Sequence, residues 1–367
     1  MPFSEFLGNP RVVTALRGMF ASGRVPHAML FAGPQGVGKF TLARMFAQAA
    51  NCERLSADFC GECDSCLRIG KLAECGPLVE QGLAERGESP DAATVERVPL
   101  LLAPHPDVWA VVPDPIRLKN PVVRPVLHVG QLRAVQRAAY FRPVARRRVF
   151  ILDGADTMRR DHANIFLKIL EEPPETATLI LVATNSQLML PTIRSRCLQF
   201  LFVPLASPEV EQILQGHTGL SASERKLAAQ LVEGRAGVAL TINLAEAVEL
   251  RRAVFEVLTA AVQAGSPADL FAQTERLAKG QKVPFESIVE LFYSFLTDLL
   301  ELSAGCRLPL LRNPMHGKEL AALSKRVDPS WVPRAVQALD EFEGRLRRNV
   351  NRQLGLDALA LSLAERQ

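Results

Sequence analysis

The segment Ala28–Lys39, Ala-Met-Leu-Phe-Ala-Gly-Pro-Gln-Gly-Val-Gly-Lys, constrains the fold more than any other part of the chain. Its five apolar residues Ala28–Ala32 read as a strand, run into Gly33, Gly36 and Gly38, and give way to a helical pattern from Lys39 to about Ala50. In such a strand, turn and helix, backbone N–H groups and the positive helix end converge on one spot where Lys39 adds a full charge, so the segment is expected to hold phosphate. Three more short apolar runs, Val108–Val112, Val149–Leu152 and Leu179–Ala183, alternate with helical periodicity over the first 200 residues. That alternation predicts a largely parallel sheet covered by helices.

The residues around the loop do not match a hydrolysing site. A working loop places a Ser or Thr hydroxyl on Mg²⁺ directly after the lysine, and here that residue is Phe40. Thr41 lies about 100° further round the helix and points elsewhere. Val149–Leu152 ends in Asp153, the expected carboxylate for Mg²⁺, but Gly154 follows where a water-positioning Glu belongs. Read alone, Asp153 is equally a turn residue at a strand end.

Four of the seven cysteines form Cys52-x7-Cys60-x2-Cys63-x2-Cys66 within a module at 51–70. Four thiolates close a tetrahedral shell, so the expected ligand is structural Zn²⁺, with unligated core cysteines as the alternative. Cys75 lies outside the pattern, and Cys197 and Cys306 read as core residues. Metal rather than disulfides follows from the expected cytoplasmic location: Met-Pro-Phe-Ser-Glu-Phe has no signal-peptide character, and no apolar run reaches the ~18 residues of a membrane span. With 43 Lys+Arg against 39 Asp+Glu, the net charge of +4 excludes a disordered polyelectrolyte and identifies no nucleic-acid partner.

A length of 367 residues accommodates two or three domains. The pattern divides into an α/β domain at 1–204 with an exposed insertion at about 76–104, a small helical unit at 205–248, and an almost continuously helical domain at 249–367. Ser221-Ala222-Ser223-Glu224 reads as a capping box. Arg133 and Arg137 share a helix face, and Arg142 with Arg146, Arg147 and Arg148 precede a strand; these are either DNA-phosphate contacts or a solvated basic surface. His27, His105 and His128 show no catalytic or metal spacing, and no nucleophile–base constellation can be assembled.

Arg24–Lys39, His105-Pro106-Asp107, Phe166–Pro174 and Thr192–Cys197, in this order, resemble the bacterial DNA polymerase III clamp-loader subunits, and the delta-prime subunits most, over about residues 3–240. The resemblance implies an α/β AAA+ P-loop module, a small helical lid and a C-terminal helical collar. Gly33, Gly36, Gly38, Lys39, Asp153 and Thr184, the last at the sensor 1 position, then form a degenerate nucleotide site, with ATP binding left open. Gly237 stands where motor subunits carry a sensor 2 arginine. Family members carry a similar zinc insertion. Arg196, in Ser195-Arg196-Cys197, falls at the rim facing the next subunit, as an arginine finger toward that subunit's ATP or, alternatively, as a surface salt bridge within its own chain. The implied role is a stator of the DNA polymerase III holoenzyme, with gamma/tau and delta subunits, the sliding clamp and primer-template DNA as partners. The alternatives are a gamma/tau-type ATP-hydrolysing motor subunit and a zinc-containing DNA-binding protein unrelated to clamp loading.

Overall fold

The computed structural model describes residues 2–87, 90–115, 125–159, 162, 164–217, 219–263, 266–279, 285–305, 311–328, 330–346 and 351–365. The chain divides into two compact units, Met1–His217 with Gly234–Leu240, and Thr218–Glu233 with Thr241–Gln367.

In the first unit α1 (Pro10–Ala21) precedes β1 (Ala28–Ala32) and α2 (Lys39–Asn51). Then come α3 (Asp64–Gly70), α4 (Cys75–Ala84), α5 (Ala92–Arg97), β2 (Leu102–His105), β3 (Val108–Val111), α6 (Val129–Ala139), β4 (Arg148–Leu152), β5 (Ala177–Ala183) and β6 (Leu198–Leu201). The sheet order is β2-β3-β4-β5-β1-β6, parallel except for the antiparallel β2–β3 pair. This is the largely parallel α/β sheet covered by helices that the sequence led one to expect. Ala28 lies opposite Leu179 and Met29 opposite Leu198. Because side chains alternate along a strand, Ala28, Leu30 and Ala32 pack with Val135 and Phe166 on one face, while Met29 and Phe31 pack with Leu16, Leu42 and Phe46 on the other. Burial on both faces is why β1, β4 and β5 read as unbroken apolar runs.

Two strands carried no such signal. β2 contains Pro104, tolerated because this is the edge of the sheet, and β6 leaves Leu198, Gln199 and Leu201 exposed at the opposite edge. The segment expected as an exposed insertion at 76–104 is partly built into the unit. It contributes α5 and β2, it buries Val95, Leu100 and Leu102, and its Arg86 forms a buried two-point pair with Asp114 at 2.7 and 2.8 Å.

Among the described residues the regular structure of the second unit is helical: Ala222–Leu231, Leu244–Val262, Pro267–Lys279, Phe285–Ser303, Gly317–Ser324, Trp331–Leu346 and Arg352–Glu365. Trp331, Phe292, Phe295, Leu339 and Leu363 centre its core, and the Trp331 indole N–H donates to the Leu363 carbonyl at 3.1 Å. The expected capping box is present, with Glu224 N–H donating to Ser221 Oγ and Ser221 N–H to Glu224. The expected boundaries after 204 and 248 are not those of the compact units. Residues 234–240 join the sheet unit because Gly237 N–H donates to Gly36 O at 2.7 Å and Leu205 N–H to Gly234 O at 3.0 Å. Among the described residues no helix is long and apolar enough to cross a membrane.

Candidate functional site

Gly33–Lys39, Asp153 and Thr184 follow the carboxyl ends of β1, β4 and β5, the edge of a parallel sheet where ligands bind. The turn needs glycine at Gly33, where φ is +151° and a Cβ would lie 2.3 Å from the Phe202 carbonyl oxygen. Lys39 is buried and donates from Nζ to the Gly33 carbonyl and, at 2.6 Å, to the Pro34 carbonyl of its own loop. Burial lowers its pKa, partly offset by the carboxylates of Asp153 and Asp156. Burial in turn raises the Asp153 pKa, against the Gly154 N–H at 3.1 Å and the Lys39 charge. Phe40 packs its ring against the core of the sheet unit, so the position after the lysine serves packing.

Thr184 is occupied within the chain: its N–H at 2.9 Å and its hydroxyl both donate to Asp156, as does Asn185 N–H at 3.1 Å. Sequence reasoning missed Asp156; the available signal was a second carboxylate three residues past Asp153. At Gly237 an added Cβ would stand 3.2 Å from both the Cα and the carbonyl oxygen of Gly36. Bare backbone therefore lies on the phosphate loop at the position the resemblance assigns to a sensor arginine.

The four cysteines converge. Cys52 follows α2, Cys63 caps α3 and Cys66 lies within it, while Gly61, at φ +75°, turns the intervening loop back. Their sulfur atoms all lie within 4.8 Å of one another, with Cys60 and Cys66 4.0 Å apart. A tetrahedral ion with bonds of ~2.3 Å to sulfur has edges of ~3.8 Å, so the donor set fits a metal ion. N–H groups of Glu62 and Cys63 lower the Cys60 thiol to about 6, and burial pushes Cys66 up. The supporting contacts come from residues with no metal-binding role. Gln48 Nε2 donates to Cys66 O at 2.9 Å, and Glu53 accepts from Ser65 N–H and hydroxyl at 3.1 and 2.8 Å. His105 meets Ser65 Oγ at 3.3 Å and accepts from Asp107 N–H at 3.1 Å, and Asp107 accepts from the N–H groups of Val144 and Ala145. His105 thus touches the cysteine module through Ser65, while Asp107 holds the backbone at Val144 and Ala145 ahead of β4. Cys75 lies apart, bonded to Leu72 O at 3.3 Å, and Cys197 is buried; Cys306 falls outside the described residues.

Arg196 donates from Nη1 to Thr192 O at 3.0 Å and from Nη2 to Glu171 Oε1 at 2.8 Å. Ile193 and Cys197 on either side are buried, which anchors the backbone while the guanidinium stays at the surface. The arginines of α6 and those at and just before the start of β4 do not form one basic face. Arg147 bonds Ala177 O and Thr178 Oγ1, and Arg148 is buried 3.6 Å from Asp107. Arg146 donates to Leu55 O at 3.1 Å, Arg133 pairs with Glu96, and Arg137 and Arg142 are exposed.

The family profile described as "DNA polymerase III, delta subunit" matches residues 8–206, and one described as "DNA polymerase III, delta subunit, C terminal" matches residues 245–365. The DNA polymerase III subunit tau/gamma of Haemophilus influenzae is 31% identical over 215 residues, 58% of this chain and 25% of that protein. The tau subunit of Escherichia coli is 31% identical over 214 residues, 58% of this chain and 26% of that protein. The chain therefore spans about a quarter of the length of these relatives. A Bacillus subtilis DNA clamp loader delta protein superimposes over 96% of this chain and 99% of that one, with a TM-score of 0.29 and 12% identity. Matched through both its sheet unit and its helical unit, the chain belongs to the DNA polymerase III delta-subunit family.

Proposed function

We propose that the chain is a delta-prime-type stator of the clamp loader: it assembles with gamma/tau and delta subunits and supplies Arg196 to a neighbour's ATP while the sliding clamp is loaded on primed DNA. The observation that carries this reading is the state of its own phosphate loop. Phe40 and not a hydroxyl directly follows Lys39, Gly154 and not a carboxylate directly follows Asp153, and Gly237 lays backbone against Gly36. A guanidinium reaching a γ-phosphate in trans neutralises charge that develops in the transition state. Zn²⁺ in the four-thiolate site closes its own shell, so its contribution is to hold the loop between α2 and α3.

The test uses the isolated chain and the reconstituted complex. The chain alone should turn over ATP no faster than its Lys39→Ala variant, and Arg196→Ala should leave assembly intact while lowering complex turnover and clamp loading by at least ~10-fold, toward the ~10³-fold that trans fingers reach. Mg²⁺-dependent turnover by the isolated chain that disappears in Lys39→Ala favours the gamma/tau-type motor, a reading the tau and gamma relatives keep in view.

A further inference from the structure

Glu171 occupies an unfavourable place when its helix is considered alone. It ends the helix Ile165–Glu171, Glu172 caps it, and Pro173 and Pro174 prevent continuation. Two carboxylates at a helix carboxyl end face the negative pole of the peptide dipoles, a mildly unfavourable placement that nearby cations offset, and Lys168 in the last turn of the same helix is one of them. Arg196, 25 residues further along the chain, is the cation that bonds Glu171 directly.

The pairing does little for folding. With side chains 37% and 52% exposed, the Arg196–Glu171 pair belongs to the surface class whose contribution to stability is small. Its effect on geometry is larger. A guanidinium is planar with five N–H donors, and here Nη1 and Nη2 are bonded to acceptors on two different elements, Thr192 O and Glu171 Oε1. Two bonds from separate nitrogens set the plane of the group, and three N–H donors stay available to an acceptor outside the chain.

Resting on the reading of Arg196 given above, we infer that Glu171 is the positioning residue of the trans-acting arginine: its carboxylate holds the guanidinium in a fixed plane so that a neighbour's phosphate meets an oriented donor set. A cation fixed before the encounter needs less reorganisation in the transition state than one on a freely rotating stem. Glu171 itself touches neither nucleotide nor metal and acts only through Arg196.

The experiment compares reconstituted complexes carrying Arg196→Ala, Glu171→Ala, Glu171→Gln and the double variant Glu171→Ala/Arg196→Ala, with complex assembly and metal content measured on each as controls for folding. Glu171→Ala should lower kcat for ATP by about 10-fold, within the ~10²-fold that a 1 Å misplacement can cause, and leave KM unchanged because the ATP sits in the neighbour's loop. Glu171→Gln, which keeps an acceptor oxygen, should recover most of the loss, and the double variant should match Arg196→Ala alone. If Arg196→Ala depresses turnover and Glu171→Ala does not, the positioning role is wrong and the stator reading stands. A rise in kcat with Glu171→Ala makes the carboxylate a restraint and overturns the inference, as does a further loss in the double variant. A complex that is indifferent to Arg196→Ala overturns the reading of Arg196 and the inference with it.

Discussion

Gly234 adopts φ of +77°, and a Cβ there would sit 2.3 Å from the Leu205 carbonyl oxygen, whose own N–H bonds back to Gly234. Both the left-handed backbone and the close approach select glycine. Gly234→Ala should therefore destabilise the protein by at least ~2 kcal/mol in chemical denaturation, whereas Gly216→Ala, in a helix with no atom within 4 Å of the new methyl, should be neutral or stabilise by up to ~1 kcal/mol. Equal effects at the two positions would remove the argument that residue 234 fastens its segment to the sheet unit. The same scale explains Phe40 and Gly237: one side chain serves the core, and the other position has no room for one.

The element that sequence spacing announced most clearly is the cysteine module. Because ligands distant in the unfolded chain are gathered only in the fold, metal-binding energy is folding energy. Metal-replete protein should contain about one zinc per chain by elemental analysis, and Cys63→Ser should lose it together with more than ~3 kcal/mol of stability. A zinc-free wild type from zinc-supplemented cells would refute the ligand assignment. Spacing could not disclose what supports the module, since His105 reaches Ser65 across 40 residues and Gln48 reaches the Cys66 carbonyl across 18. Nor could periodicity reveal β2 and β6, because edge strands bury too little of their length to be consistently apolar.

On the scale of the whole molecule the two units hold separate cores: the sheet unit has one on each face, around Phe31 and Phe46 and around Phe150, and the helical unit has one around Trp331. Truncating Trp331 to Ala removes a fully buried ring, for which ~3–5 kcal/mol is usual. Hydrogen exchange should accelerate in the helices Phe285–Ser303 and Trp331–Leu346, while protection of β1, β4 and β5 is unchanged. Matching losses in the sheet strands would mean that the chain unfolds as one body. Sequence alone determined the strand, glycine turn and helix at Ala28–Asn51 and the capping box at Ser221, because each is set by neighbours within a turn or a strand, and it displayed the thiolate set as a cluster of cysteines between Cys52 and Cys66. Tertiary structure alone decided that Gly237 lies on Gly36, that Thr184 is held by Asp156, and that Arg196 is oriented by Glu171. Those partners are 25 or more residues apart, and a hydrogen bond between such groups follows from where the sheet and its helices place them, which no local pattern encodes.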